Sequence, residues 1–117
     1  MQRDDATLLD IECAARRILE YVHGLDQPAF EKDHKTQSAV LHQIMLVGEA
    51  AKRLSEPFRA AHPQVPWSEI ARTRDFLIHH YDEVDVEAVW SIVETDIPAL
   101  LRSLAPFVPK RQNGSKG

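Results

Sequence analysis

Three polar side chains that together suit phosphodiester chemistry lie within eight residues of the chain. They are Arg74, His79 and Tyr81, in the segment RDFLIHHY. A histidine that titrates near neutral pH can take the proton of a ribose 2′-hydroxyl or give one to a leaving 5′-oxygen. An arginine can hold a phosphate through two hydrogen bonds and stabilise its developing charge. These residues alone leave two interpretations open, a ribonuclease site and a cluster of satisfied polar groups at a helix end.

Other chemistries fit the sequence less well. The adjacent residues His79 and His80 point about 100° apart on a helix, whereas zinc ligands on a helix are usually four residues apart. The single cysteine, Cys13, lies far from them in the sequence, and neither a Gly-rich phosphate loop nor a Gly-x-Ser-x-Gly motif occurs. We therefore predict no metal site and no cofactor.

The elements that position these side chains are predicted to be helices. Apolar residues recur at spacings of three and four in four stretches, 8–25, 40–54, 67–81 and 86–104, which is typical of helices with one buried face. Pro57 is predicted to open a short additional helix, and Pro98 to kink the fourth long one. The predicted fold is an all-α, antiparallel bundle of four main helices plus one short helix, spanning residues 1–106. Residues 107–117 are predicted to form a polar, disordered tail.

Composition indicates where such a protein works. No apolar run approaches the roughly 20 residues that cross a bilayer, and the first residues, MQRDD, do not resemble a signal peptide. A single cysteine fits a reducing compartment, so we predict a cytoplasmic protein that does not enter membranes. The net charge of −4 gives no general attraction to nucleic acid, so RNA binding requires a local basic cluster.

Arg74 and Tyr81 interrupt the apolar stripe of the third helix, and Arg74 is therefore predicted to point between helices rather than into water. Tyr81 lies about 700° further round the helix, nearly above Arg74, whereas His79 lies about 140° away from it. Arg74 and His79 converge either if the helix loosens near His79 or if a two-fold axis pairs two chains. In the second helix, Gly48 predicts close helix packing with Glu49 on its flank, and a functional role for this pair is the alternative.

The segment from Arg74 to Tyr81 resembles the Arg-x4-His-x-Tyr motif of the HepT-like toxins in the HEPN superfamily. The likeness extends over roughly Leu8 to Leu104 and includes Gly48-Glu49, Pro66-Trp67 and the segment from Trp90 to Leu104. A polar residue directly after the arginine is usual in HEPN proteins, and Asp75 occupies that place.

The resemblance implies an all-helical homodimer whose two motifs face each other across the interface. It implies a metal-independent endoribonuclease that cleaves RNA, with Arg74 and His79 catalytic and Asp75 supporting. It also implies a toxin–antitoxin pair in which an MNT-type nucleotidyltransferase is the antitoxin. Whether the homodimer and the antitoxin form a larger hetero-oligomer stays open. In some such pairs the antitoxin transfers AMP to the motif tyrosine, here Tyr81.

Two alternatives stay open at this point. Arg72 also satisfies a looser HEPN spacing, because six residues separate it from His79. Arg72 and His79 share a helical face. We prefer Arg74 because it interrupts the apolar stripe and matches the family motif. The chain is alternatively a non-catalytic module that binds nucleotide or RNA and serves a separate nucleotidyltransferase.

Overall fold

The computed structural model describes residues 3–109, and within that range it contains helices and no β-strand. The elements follow in the order α1 (Arg3–Tyr21), α2 (Gln27–Lys32), α3 (His34–Arg53), α4 (Glu56–Ala61), α5 (Trp67–His79), a 3₁₀ turn (Tyr81–Glu83), α6 (Val86–Ser91), a π-helical turn (Ile92–Asp96), α7 (Ile97–Leu104) and a last 3₁₀ turn (Ala105–Phe107). The predicted all-α fold is confirmed. Its four main helices are α1, α3, α5 and the stretch from α6 to α7.

The core lies between α1 and α3, which form the central pair of the bundle. Ile11 and Ile18 of α1 are buried, as are Val40, Ile44 and Val47 of α3. The predicted apolar stripes therefore identify the buried faces correctly. The outermost long helix is α5, which packs on α3 and buries only Leu77 completely.

A short helix that the periodicity did not predict, α2, precedes α3. The carboxylate of Asp26 accepts a hydrogen bond of 3.0 Å from the backbone of Ala29, and Pro28 stands in the first turn. The ring of Phe30, in α2, is fully buried. A six-residue helix with one buried side chain shows no periodic pattern, so only its cap and its proline indicated it.

The fourth helix changes its winding just before Pro98. Asp85 caps α6 as predicted, since its side chain accepts a hydrogen bond of 2.9 Å from the backbone of Glu87. The π-helical turn follows, in which the N–H of Ile97 reaches back to the carbonyl of Ile92. Proline lacks an N–H and its ring crowds the carbonyl four residues earlier, and a wider turn relieves that conflict. The predicted kink therefore takes the form of a π-helical turn.

The described chain ends on the side of the bundle that holds α4. The ring of Phe107 lies 4.1 Å from that of His62, centre to centre, and the N–H of Val108 donates to the carbonyl of Leu104. Residues 110–117 of the predicted tail lie outside the described residues, so their disorder stays a prediction. Between residues 3 and 109, no helix combines the length and apolar character needed to cross a membrane.

Candidate functional site

Helix α5 contains Arg74 and His79 of the Arg-x4-His-x-Tyr motif and ends before the motif tyrosine, Tyr81. His79 is its last residue, and His80 leaves the helical conformation with φ −135° and ψ 40°. Tyr81 begins the following 3₁₀ turn and exposes 44% of its surface. The expectation that Tyr81 lies nearly above Arg74 on one helix is therefore wrong, because the helical rotation stops two residues before it.

Arg74 lies where α5 approaches α3 most closely. A Cβ atom added to Gly48 of α3 would overlap the Cβ of Arg74 and lie 2.9 Å from its Cγ, so no larger residue fits without moving a helix. The close packing predicted at Gly48 is confirmed. The glycine lets the base of the arginine side chain rest against the backbone of α3, and the guanidinium extends from there toward Glu49.

Two carboxylates hold the guanidinium of Arg74. Its Nη2 donates to Oε2 of Glu49 at 3.0 Å, and its Nη1 donates to Oδ1 of Asp75 at 3.1 Å. These hydrogen bonds, that to Asp75 above all, raise the pKa of Arg74 above its ordinary value. The Nε atom is buried and has no hydrogen-bond partner within residues 3–109. Only the terminal nitrogens of Arg74 are therefore placed to bind a further group.

Lys52 completes this cluster from α3. Its Nζ donates to the same Oδ1 of Asp75 at 3.1 Å, so one carboxylate oxygen lies between two cations. The hydrogen bonds from Lys52 and then Arg74 lower the pKa of Asp75, so this carboxylate stays charged to a lower pH than an ordinary aspartate. Lys52 was not predicted from the sequence. Its position four residues after Gly48, and hence on the same face of α3, was the available signal.

The two adjacent histidines differ in their surroundings. The ring of His80 stacks on Phe76 at 4.9 Å, and its Nδ1 lies 3.2 Å from Oε1 of Glu83. His79 is exposed at the end of α5. Among residues 3–109, no three His, Cys, Asp or Glu side chains come together as a metal ion requires. His80 is thus engaged in local packing, whereas His79 is accessible to a substrate.

Arg74 and His79 point in different directions within one chain. The backbone is α-helical from Trp67 to His79, so the loosening that could bring the two side chains together does not occur before His79. Five residues of regular helix separate them by about 140° of rotation and about 7.5 Å along the axis. The two side chains therefore do not converge on one regular helix, and their convergence through pairing with a second chain stays a prediction.

Arg72, the alternative arginine, lies on another surface of α5. It lines an open groove beside α6 together with Phe76, Glu83 and Asp85. Two of these neighbours carry negative charge, and no glycine of α3 fixes its side chain. The structure thus gives Arg72 and Arg74 different environments, which makes their contributions separable by mutation.

Comparisons with known proteins agree with the resemblance seen in the motif. A family model described as "Ribonuclease HepT-like" matches residues 11–106. "Probable ribonuclease HepT" of Thermococcus cleftensis is 43% identical over 93 residues, which cover 80% of this chain and 84% of that protein. "Putative RNase MJ0127" of Methanocaldococcus jannaschii is 38% identical over 103 residues, covering 88% of this chain and 85% of that protein. No solved structure matches the chain.

Proposed function

The chain belongs to the ribonuclease HepT-like family, and from this membership we propose that it is a metal-independent endoribonuclease whose reacting groups are Arg74 and His79. The observation that supports this assignment best is the fixed arginine. The base of Arg74 is held against Gly48, its terminal nitrogens reach the surface, and the exposed His79 stands at the end of the same helix. In a pair of chains, such an arrangement offers a phosphate-binding group from one chain and a proton-transfer group from the other to one RNA backbone.

The proposed reaction uses the 2′-hydroxyl of RNA as the nucleophile. His79 takes the hydroxyl proton, the 2′-oxygen bonds to phosphorus, and the bond from phosphorus to the 5′-oxygen breaks. Water gives a proton to the departing 5′-oxygen and His79 returns its proton to the solvent, which leaves a 2′,3′-cyclic phosphate, a 5′-hydroxyl and a neutral histidine. Arg74 binds the non-bridging oxygens and stabilises the additional negative charge on them. Asp75 orients the guanidinium of Arg74 before RNA binds.

Cleavage of RNA by the purified chain in the presence of EDTA tests this function. We expect products that end in a cyclic phosphate, formed at the same rate with and without the chelator. Cleavage that depends on an added divalent metal would contradict the proposed mechanism. RNA that is bound but stays intact would instead favour the non-catalytic binding module.

We expect the active form to be a symmetric homodimer. Arg74 and His79 diverge within one chain, and Ile78, one helical turn after Arg74 on α5, is an apolar residue that is 46% exposed. A two-fold interface on α5 covers Ile78 and brings one chain's histidine toward the other chain's arginine. A specific interface of this kind buries about 1,200 Å² or more in total. Light scattering at micromolar concentration is expected to give twice the chain mass.

The variant Ile78→Glu tests where that interface lies. A charge at this position is expected to produce monomers and to abolish cleavage together with dimerisation. Leu46→Glu is the matched control, because Leu46 is also an exposed apolar residue, 38% accessible, but lies on α3. A wild-type chain that is monomeric and fully active would disprove the shared site.

We propose that the chain is the toxin of a toxin–antitoxin pair whose antitoxin is an MNT-type nucleotidyltransferase that modifies Tyr81. The tyrosine is exposed and lies two residues from His79. Its oxygen would attack the α-phosphate of ATP, releasing pyrophosphate and the phenolic proton. The attached AMP brings a negative charge and a bulky nucleoside close to His79, where it repels RNA phosphate and blocks access to the histidine.

Intact-mass measurement after co-expression with such a nucleotidyltransferase tests the modification. We expect a gain of one or more AMP units together with loss of RNA cleavage, and we expect neither in the Tyr81→Phe variant. Tyr21→Phe provides the control, because Tyr21 is the other tyrosine of the chain and is similarly exposed. Neutralisation of the wild-type chain without any gain in mass would show that the partner acts by covering the site.

A further inference from the structure

A second cation lies beside the proposed phosphate-binding arginine. Lys52 Nζ and Arg74 Nη1 each donate to Oδ1 of Asp75 at 3.1 Å, one from α3 and the other from α5. An oxygen that lies between an ammonium and a guanidinium occupies the position that suits an oxygen of a phosphate group. We propose that Lys52 and Arg74 together form the RNA phosphate site, in which a phosphate oxygen replaces the carboxylate oxygen of Asp75.

The geometry of Arg74 limits how a phosphate can approach it. Nε is buried and has no partner in the part of the chain that the structure describes, so the phosphate must use the terminal nitrogens. Of these, Nη2 is bound to Glu49 and Nη1 to Asp75. The Asp75 side is also the side on which Lys52 stands. Exchange of Asp75 for phosphate therefore brings both cations to the ligand, whereas exchange of Glu49 brings only one.

Asp75 is suited to leave this position. Its side chain is 50% exposed, so water can solvate the carboxylate once it has turned away. With Asp75 in place, the four charged groups Glu49, Lys52, Arg74 and Asp75 sum to zero and attract no anion. Displacement of Asp75 leaves Lys52, Arg74 and Glu49, whose charges sum to +1, and it frees a donor on both cations. In an acidic chain, this cluster supplies the local positive charge that RNA binding requires.

The position of Lys52 on its helix follows from the same packing that places Arg74. Lys52 stands four residues after Gly48 and therefore on the face of α3 that meets α5. The next residue, Arg53, lies on the face toward α1, where its Nη2 contacts Asp10 at 3.2 Å. Two neighbouring, ion-paired cations thus point to different helices, and they form a matched pair for an experiment.

The inference rests on the proposed ribonuclease function, and RNA binding tests it separately from cleavage. In a His79→Ala background, which keeps the RNA intact, the affinity for a fluorescent single-stranded RNA is measured by anisotropy at several KCl concentrations. Loss of one phosphate contact reduces the slope of log affinity against log salt by about 0.7. We expect this change in Lys52→Ala, with binding about tenfold weaker at moderate salt. We expect neither change in Arg53→Ala, and a largely restored slope in Lys52→Arg.

The possible outcomes separate the two claims. If wild-type protein cleaves RNA but Lys52→Ala keeps the parent slope and affinity, the Lys52 proposal is overturned while the ribonuclease function stands. Equal losses in Lys52→Ala and Arg53→Ala would reflect net charge alone and would also overturn it. If the chain neither binds nor cleaves RNA, both claims fail. Circular-dichroism melting of each variant verifies that the exposed substitutions leave the fold intact.

Discussion

The His79→Ala variant is expected to cleave RNA roughly 10²–10⁴-fold more slowly than the wild-type chain, the usual cost of removing a general acid or base. This corresponds to about 3–5 kcal/mol of lost transition-state stabilisation. The imidazole is exposed at the last residue of α5, so its removal takes away no buried packing. The measurement is the single-turnover cleavage rate of a defined RNA in EDTA, accompanied by a thermal melt.

The adjacent histidine provides the control for this result. His80 stacks on Phe76 and contacts Glu83, so His80→Ala removes local packing but no proposed chemistry. We expect His80→Ala to retain a cleavage rate within a few-fold of wild type, since no reacting group is lost. If the two variants lose activity equally, the assignment of proton transfer to His79 is wrong. Wild-type activity in His79→Ala would contradict it equally well.

The Arg74→Ala variant is expected to lose about 10²–10³-fold in kcat, the usual effect of removing one group that stabilises charge in a transition state. Arg74→Lys keeps the positive charge but loses the planar, two-pronged donor, so we expect it to recover only part of the rate. The parameters kcat and KM are measured separately on a defined RNA. A loss confined to KM would show that Arg74 binds substrate without stabilising the transition state.

Arg72→Ala is the matched variant for this prediction. Both arginines lie on α5, but Arg72 lines the groove beside α6, whereas Arg74 is fixed between Glu49 and Asp75. We expect Arg72→Ala to reduce cleavage only a few-fold, through its general attraction for RNA. The reverse order of effects would assign the catalytic role to Arg72 and would require the α6 groove to be the RNA site.

Hydrophobic periodicity was sufficient to predict most of the architecture. The apolar stripes located the buried faces of α1, α3 and the α6–α7 stretch, and Asp85 was correctly predicted as a cap. Periodicity could not locate the end of α5, because Tyr81 continues the helical spacing even though the chain leaves the helix at His80. No glycine or proline stands where the helix ends, and the following 3₁₀ turn has nearly the same residue spacing as a helix.

The candidate site was predictable only in part, for a related reason. The motif residues are close in sequence and could be recognised together, whereas Arg74 and its partner Glu49 are 25 residues apart. Whether such residues meet depends on how two helices align, which a single-helix pattern does not determine. Gly48 was the one long-range signal, because a glycine within a helix commonly marks the close approach of another backbone. It indicated the packing but not which residue of α5 would meet it.

Because of the contact between Gly48 and Arg74, the position of the arginine side chain and the direction of its guanidinium are fixed by different interactions. Backbone packing fixes the root of the side chain, while exposed ion pairs to Glu49 and Asp75 fix its tip. High salt screens such ion pairs but leaves the contact between the two helices in place. We therefore expect ionic strength to change the direction of the guanidinium while the base of the side chain stays beside Gly48.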